Sequence, residues 1–217
     1  MASYRAIQLQ RFADSFREGS EIISLDLVDP KPGEVRVRNL YCGINGIFDT
    51  QIARNAVDYV TIGLPTLTGV EALGVVEACG ADVTDLKEGD AVVTTRFPSG
   101  YREYNTGPAE HFVKVPDTSP EWLVLASTGV SAYVALKNIG DLKTGETVAI
   151  SAAAGGLGHL LVQIAKLHEC HVVGVCGGRR KGDFVQSLGC DRVIDYRSES
   201  VAKVLKTLYK DKLNVAV

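Results

Sequence analysis

Between residues 147 and 217, short and nearly continuous apolar runs alternate with stretches whose apolar positions recur at helical spacing. Val148, Ala149 and Ile150 suit a parallel strand buried on both faces, which shows no polar alternation. Leu160, Leu161, Ile164 and Leu167 then fall at the spacing of an amphipathic helix. The rhythm predicts strands over 147–151, 171–176 and 192–194, and helices over 158–168, 182–188 and 201–209. Residues 213–217 read as the start of a fourth strand, placed beside the first. Alternating strands and helices imply a parallel sheet with right-handed crossovers. Doubly wound dinucleotide-binding sheets continue past a fourth strand, so this one is expected to be C-terminally incomplete.

The first half has a different texture. Residues 34–40 alternate with period two, as a half-buried strand does, and 74–78 and 91–95 are further strand candidates. Residues 30–33 and 87–90 are turn signals. Trp122, Leu125, Ala126, Tyr133 and Leu136 then sit at helical spacings. The expected class is mixed α/β. A mostly β, barrel-like domain over 1–125 precedes a dinucleotide-binding domain over 126–217.

The turn after the 147–151 strand is Ala153-Ala154-Gly155-Gly156-Leu157-Gly158, a GxGxxG fingerprint with alanine in the first slot. Small residues let the backbone approach a pyrophosphate, and the following helix offers free N–H groups and the positive end of its dipole. A strand before it and a helix after it strengthen that reading over an ordinary tight turn. The 171–176 strand leaves into Gly177, Gly178, Arg179, Arg180 and Lys181, with no carboxylate before Asp183. An acidic residue there would favour NAD, whereas these cations suit the 2′-phosphate of NADP(H). The other reading of the cations is a solvated basic loop.

Composition narrows the classes. The chain has 217 residues, 46% hydrophobic, with a net charge of −3. No basic face points to a nucleic-acid partner. No apolar run approaches a membrane span, and neither a secretory signal nor a peroxisomal tripeptide is visible, so a cytoplasmic location without a membrane partner is expected. Cys42, Cys79, Cys170, Cys176 and Cys190 are odd in number and irregularly spaced, which predicts small, reduced core residues.

Seven segments in order resemble the zinc-independent, quinone oxidoreductase-like side of the medium-chain dehydrogenases/reductases. They are Gly43-Ile-Asn45, Thr68-Gly-Val-Glu-Ala-Leu-Gly-Val-Val76, Gly89-Asp-Ala-Val92, Pro108-Ala-Glu-His-Phe112, Ser127-Thr-Gly-Val-Ser-Ala-Tyr133, Ala152-Ala-Ala-Gly-Gly-Leu-Gly158 and Leu188-Gly-Cys-Asp-Arg-Val-Ile-Asp-Tyr196. Residues 170–176 and 188–192 look most like the prostaglandin reductase-3-like branch. The resemblance implies a GroES-like domain followed by a partial Rossmann domain. It also implies NADPH-dependent reduction of the C=C bond of an α,β-unsaturated ketone, a 15-oxo-prostaglandin-like enone or a quinone. The alternative is a weak or inactive nucleotide-binding or interaction protein on the same fold. Homodimers occur in the family, through an edge that lies beyond this chain.

The same resemblance assigns residues. Gly155, Gly156, Leu157 and Gly158 line the pyrophosphate turn. Gly177 lies beside the adenosine ribose, and Lys181 and Tyr196 contact the 2′-phosphate. Tyr196 alternatively closes the third strand as a partly buried aromatic. Asn45 is a neighbour of substrate or nicotinamide, or else a turn-forming residue before Gly46. Thr128 contacts the nicotinamide amide, or else caps a helix over 131–136. Tyr59, Tyr101 and Tyr104 are candidate phenol donors or else interface-packing aromatics, and Asp49 is given no role. Metal-dependent relatives carry cysteine and histidine where this chain has Asn45 and Val70, and residues 101–111 hold no cysteine. An amide and an isopropyl group cannot replace a thiolate and an imidazole, so no metal is expected.

Overall fold

The computed structural model describes residues 2–217, which divide into two units between Ser127 and Thr128. Eight strands belong to the first: β1 (Ser3–Leu9), β2 (Ser20–Asp26), β3 (Glu34–Cys42), β4 (Thr66–Leu67), β5 (Ala72–Cys79), β6 (Ala91–Thr94), β7 (Tyr104–Pro108) and β8 (Val113–Lys114). They form a three-stranded sheet, β2-β1-β4, and a five-stranded sheet, β7-β3-β5-β6-β8. β5 is the central strand, and its small apolar residues feed cores on both faces. Leu73 packs with Val93, Val115 and Leu123, while Val76 packs with Val35, Val37 and Phe112. Each such valine or leucine contributes about 1.5–3 kcal/mol by leaving water.

The pattern of residues 34–40 is the start of β3, which runs on to Cys42. Its register with β5 shifts between Asn39 and Tyr41, and Leu40, Tyr41 and Cys42 reach the surface. That shift corrects the expectation of a buried Cys42, because a bulge breaks the in–out alternation. β1 and β2 were not legible, since most of their side chains remain at least partly exposed. The helices here include α1 (Phe16–Gly19) and α2 (Gly46–Ala53), the latter burying Asp49, Ile52 and Ala53.

α3 (Glu121–Ile139) is one helix, with π-type turns over Leu125–Gly129 and Val134–Ile139. Its Leu123 belongs to the first unit's core, and Ala132 and Leu136 to the second's. By length and composition it could cross a membrane, contrary to the expectation that no segment approaches that length. Ser127, Thr128, Ser131 and Tyr133 break the run in sequence but are mild enough in hydropathy to leave the whole helix apolar.

In the second unit β9 (Thr147–Ile150), β10 (His171–Cys176), β11 (Arg192–Asp195) and β12 (Val215–Ala216) are all parallel, in the order β11-β10-β9-β12. The fourth strand lies beside the first as predicted, pairing Val215 with Val148. Helices α4 (Gly158–Leu167), α5 (Arg179–Ser187) and α6 (Val201–Leu208) connect them. Val148, Ile150 and Val172 feed one core, and Ala149, Val173 and Ile194 the other. Cores on both faces explain the continuous apolar runs. The architecture is mixed α/β, a mostly β unit and a Rossmann-like parallel sheet.

Candidate functional site

The glycine turn lies between β9 and α4. Ala152 takes a left-handed backbone, φ 46°, and its carbonyl accepts the Gly155 N–H at 2.7 Å. A non-glycine residue held there stores strain of order 1–2 kcal/mol, as functional loops often do. Ala153 is fully buried, so the first fingerprint slot is a core position that tolerates alanine. At Gly158 a Cβ would lie 2.7 Å from the Ala153 Cα and closer still to the Ala152 carbonyl, so glycine lets helix and strand close up. A Cβ at Gly156 would meet nothing within 4 Å, although Gly155, Gly156 and Leu157 are all exposed. Among the described residues no backbone carbonyl takes the N–H of Gly156 or Leu157. His159 Nδ1 lies 2.9 Å from the Gly155 carbonyl, and its backbone N–H bonds the same oxygen at 3.1 Å. These contacts brace a loop whose outer side offers open space, free donors and the start of a ten-residue helix.

At the end of β10 the structure brings Gly177 and Tyr196 together. A Cβ on Gly177 would meet the Tyr196 hydroxyl and ring at 2.5 Å, so the ring lies across this buried glycine. Tyr196 follows β11 directly and remains 55% exposed, so one side of the ring is covered while the rest stays open. Gly178, φ 86°, turns the chain directly into α5. The three cations therefore occupy the first turn of a helix starting at Arg179, not a loop before a helix at 182. Gly177, Gly178 and Gly182 made the segment read as loop, but one left-handed residue suffices for the turn. Arg179 reaches Asp183 at 3.7 Å, while Arg180 and Lys181 have no carboxylate within ion-pair distance among the described residues. Burial pushes the Cys176 thiol up and Asp195 adds to this, while Lys181 opposes both, which puts the lysine's charge near the strand end. Sequence reasoning missed Asp195. Its Oδ1 accepts the N–H groups of Gly178 and Arg197, each at 3.0 Å. Those two bonds hold its carboxyl below the usual range, against slight desolvation.

In the first unit, Asn45 stands just before α2 and makes no side-chain capping bond. Its Nδ2 donates to Glu71 Oε1 at 3.1 Å, which replaces the turn-forming reading. Glu71 is 6% exposed, and its Oε2 has no partner among the described residues. A carboxylate amid the apolar start of β5 was the available signal, because buried charge needs partners. One Asn45 N–H and its amide oxygen remain available for other bonds. Tyr101 is not a free donor, since its hydroxyl donates to buried Asp49 Oδ2 at 2.5 Å. Tyr104 packs edge-on against Tyr4, and Tyr59 is exposed. Val70, in the metal-dependent relatives' histidine position, offers its carbonyl to Ser99 Oγ at 2.9 Å. Among the described residues no three His, Cys, Asp or Glu side chains gather as a metal-ligand set. Thr128 lies inside the first π-type turn of α3, so it caps no helix. Such turns recur at functional positions.

Residues 31–117 match the family described as alcohol dehydrogenase GroES-like domain, and residues 156–217 the family described as zinc-binding dehydrogenase. Prostaglandin reductase-3 of Mus musculus is 36% identical over 186 residues, which is 86% of this chain and 49% of that protein. A probable quinone oxidoreductase of Leishmania amazonensis is 34% identical, over 92% of this chain and 58% of its own length. The solved structure of Escherichia coli quinone oxidoreductase complexed with NADPH superposes with a TM-score of 0.82 at 28% identity. That match covers 96% of this chain and 63% of the other. The chain thus spans about half the length of the curated relatives it matches.

Proposed function

This chain belongs to the quinone oxidoreductase-like medium-chain dehydrogenases/reductases, and from that premise we propose that it binds NADPH and serves metal-free reduction of an enone or quinone. The observation that carries the reading is the contrast within the glycine loop. Gly158 is closed by packing, whereas Gly156 is open and lies beside unused N–H groups.

The residues present fit such a cofactor. Gly155, Gly156 and Leu157 would hold the pyrophosphate at the start of α4. Gly177 would lie beside the adenosine ribose, with Lys181 and Tyr196 at the 2′-phosphate. Thr128 is assigned to the nicotinamide amide. When bound, NADPH supplies a hydride for the electrophilic β-carbon of a conjugated C=C bond. Negative charge then grows on the substrate's carbonyl oxygen and needs a preoriented donor, and a proton from a side chain or water completes the reduction at the α-carbon. Asn45 is assigned that part, because the Glu71 carboxylate holds one N–H and thereby fixes the amide plane. The metal-free reading rests on the chemistry of Asn45 and Val70. Neither can stand in for a zinc ligand.

Mixing the purified chain with NADPH tests the reading. Cofactor fluorescence is expected to change, and NADPH absorbance to fall once an enone or quinone is added. Binding without turnover would favour a nucleotide-binding protein on the same fold. No binding would refute the assignment of the loop.

A further inference from the structure

Arg102 is a guanidinium short of partners. Its Nε is buried and has no hydrogen-bond partner among the described residues. Its Nη2 donates to the Pro98 carbonyl, and the Tyr4 hydroxyl is a further polar neighbour. No carboxylate lies within ion-pair distance of it among the described residues. The adjacent Glu103 is taken by Arg5 at 2.6 Å. Burial lowers the pKa of Arg102, yet a guanidinium stays charged in any protein. A largely desolvated charge without a counter-ion is costly and calls for an explanation.

Arg102 lines a cavity of about 300 Å³ within the first unit, together with the exposed Arg96 and with His111. No aspartate or glutamate lines it. Thr94 accepts the Arg96 backbone N–H, which leaves its own O–H free to donate elsewhere. Phe97 and Phe112 form apolar walls. Donors without a matching acceptor, set against aromatic faces, describe a receptor for an anion with a small organic body.

We propose that this cavity binds the oxyanion head of a small organic molecule, a carboxylate or a phosphate, between Arg96 and Arg102. It shares no residue with the glycine loop or with the Asn45–Glu71 pair. The inference therefore stands whether or not the chain reduces enones.

Thermal unfolding of the full chain at constant ionic strength tests it, with inorganic phosphate and benzoate titrated against chloride. The midpoint is expected to rise with the logarithm of one anion's concentration and not with chloride. A rise with phosphate identifies a phosphate head, and a rise with benzoate a carboxylate. Arg96→Ala is expected to leave the unliganded midpoint unchanged and to weaken the anion roughly tenfold or more, the worth of a charged hydrogen bond. Arg102→Met is expected to unfold no earlier than the natural chain in chloride, because it removes a half-buried charge that has no counter-ion, and to lose the anion response. The proposal is overturned if neither anion raises the midpoint, or if the response survives both substitutions. Should Arg102→Met fail to fold, Arg96→Ala decides alone, and an undiminished response overturns the proposal.

Discussion

The Tyr101 hydroxyl donates to Asp49 Oδ2 at 2.5 Å, tying α2 to a residue 52 positions further along the chain. Burial pushes the Asp49 carboxyl up, and bonds from Tyr101 and the backbone pull it partly back. The tyrosine is pushed far above its ordinary value by burial and by that carboxylate. Tyr101→Phe removes the donor and leaves a buried acceptor, so it is expected to cost about 1–3 kcal/mol in urea unfolding.

The same pair gives two pH limbs. A raised carboxyl binds more protons folded than unfolded, so stability falls as pH rises from about 3.9 through the folded value. Asp49→Asn should flatten that limb while keeping an acceptor for the hydroxyl. Tyrosine in the unfolded chain loses its proton near pH 10, so the natural chain should lose further stability above about that pH. Tyr101→Phe should lack this alkaline loss. Unfolding curves of equal slope in all three proteins would sink the assignment.

The two kinds of glycine in the loop should separate experimentally. Gly158→Ala places a methyl against the Ala152 carbonyl and Ala153, and is expected to cost about 1–3 kcal/mol through overpacking. Gly156→Ala meets no protein atom, so its midpoint should match the natural chain while NADPH fluorescence titrations show weakened binding. If Gly156→Ala binds NADPH as before, the open face of the loop is not the pyrophosphate site.

Much of the second unit was legible because the apolar runs and helical spacings report packing directly. Val148 to Ile150 and Val172 to Val173 are buried on both faces, and their sequence says so. What stayed hidden were contacts between residues distant in sequence. No local period couples Asp49 to Tyr101 or Asn45 to Glu71. Glu71 amid the small residues opening β5, and Asp195 directly after buried Ile194, were the two available hints. The start of α5 was lost for a different reason. Exposed cations next to glycines resemble a loop, and only the backbone at Gly178 shows that the helix begins at once.

Lys181 lies in the first turn of α5, and among the described residues no carboxylate is within ion-pair distance of it. A 2′-phosphate there would gain a charge-assisted contact that NADH cannot make. Lys181→Ala is expected to weaken NADPH by about 1.5–3 kcal/mol, roughly tenfold or more, and to leave NADH nearly unchanged. Fluorescence titration with both nucleotides measures this. Equal losses for the two would remove the 2′-phosphate assignment.

Asp195 lets geometry and charge be separated at the end proposed for the adenosine. Its carboxylate holds the Gly178 and Arg197 N–H groups, and it also adds a negative charge beside the cations proposed for a phosphate. Asp195→Asn keeps an oxygen that can accept both N–H groups and removes the charge. Asp195→Ala removes both. The asparagine variant is therefore expected to stay near natural stability and to bind NADPH somewhat more tightly, most visibly at low salt. The alanine variant should lose both stability and affinity as the turn at Gly178 loosens. The depressed carboxyl adds a pH signature. It stabilises the fold above about pH 3.9, and that contribution disappears as pH falls through its lower folded value. Both variants should thus show a shallower acid limb than the natural chain in unfolding measured from about pH 5 downward. Variants that matched each other in NADPH affinity would mean that the two backbone bonds do not shape the site.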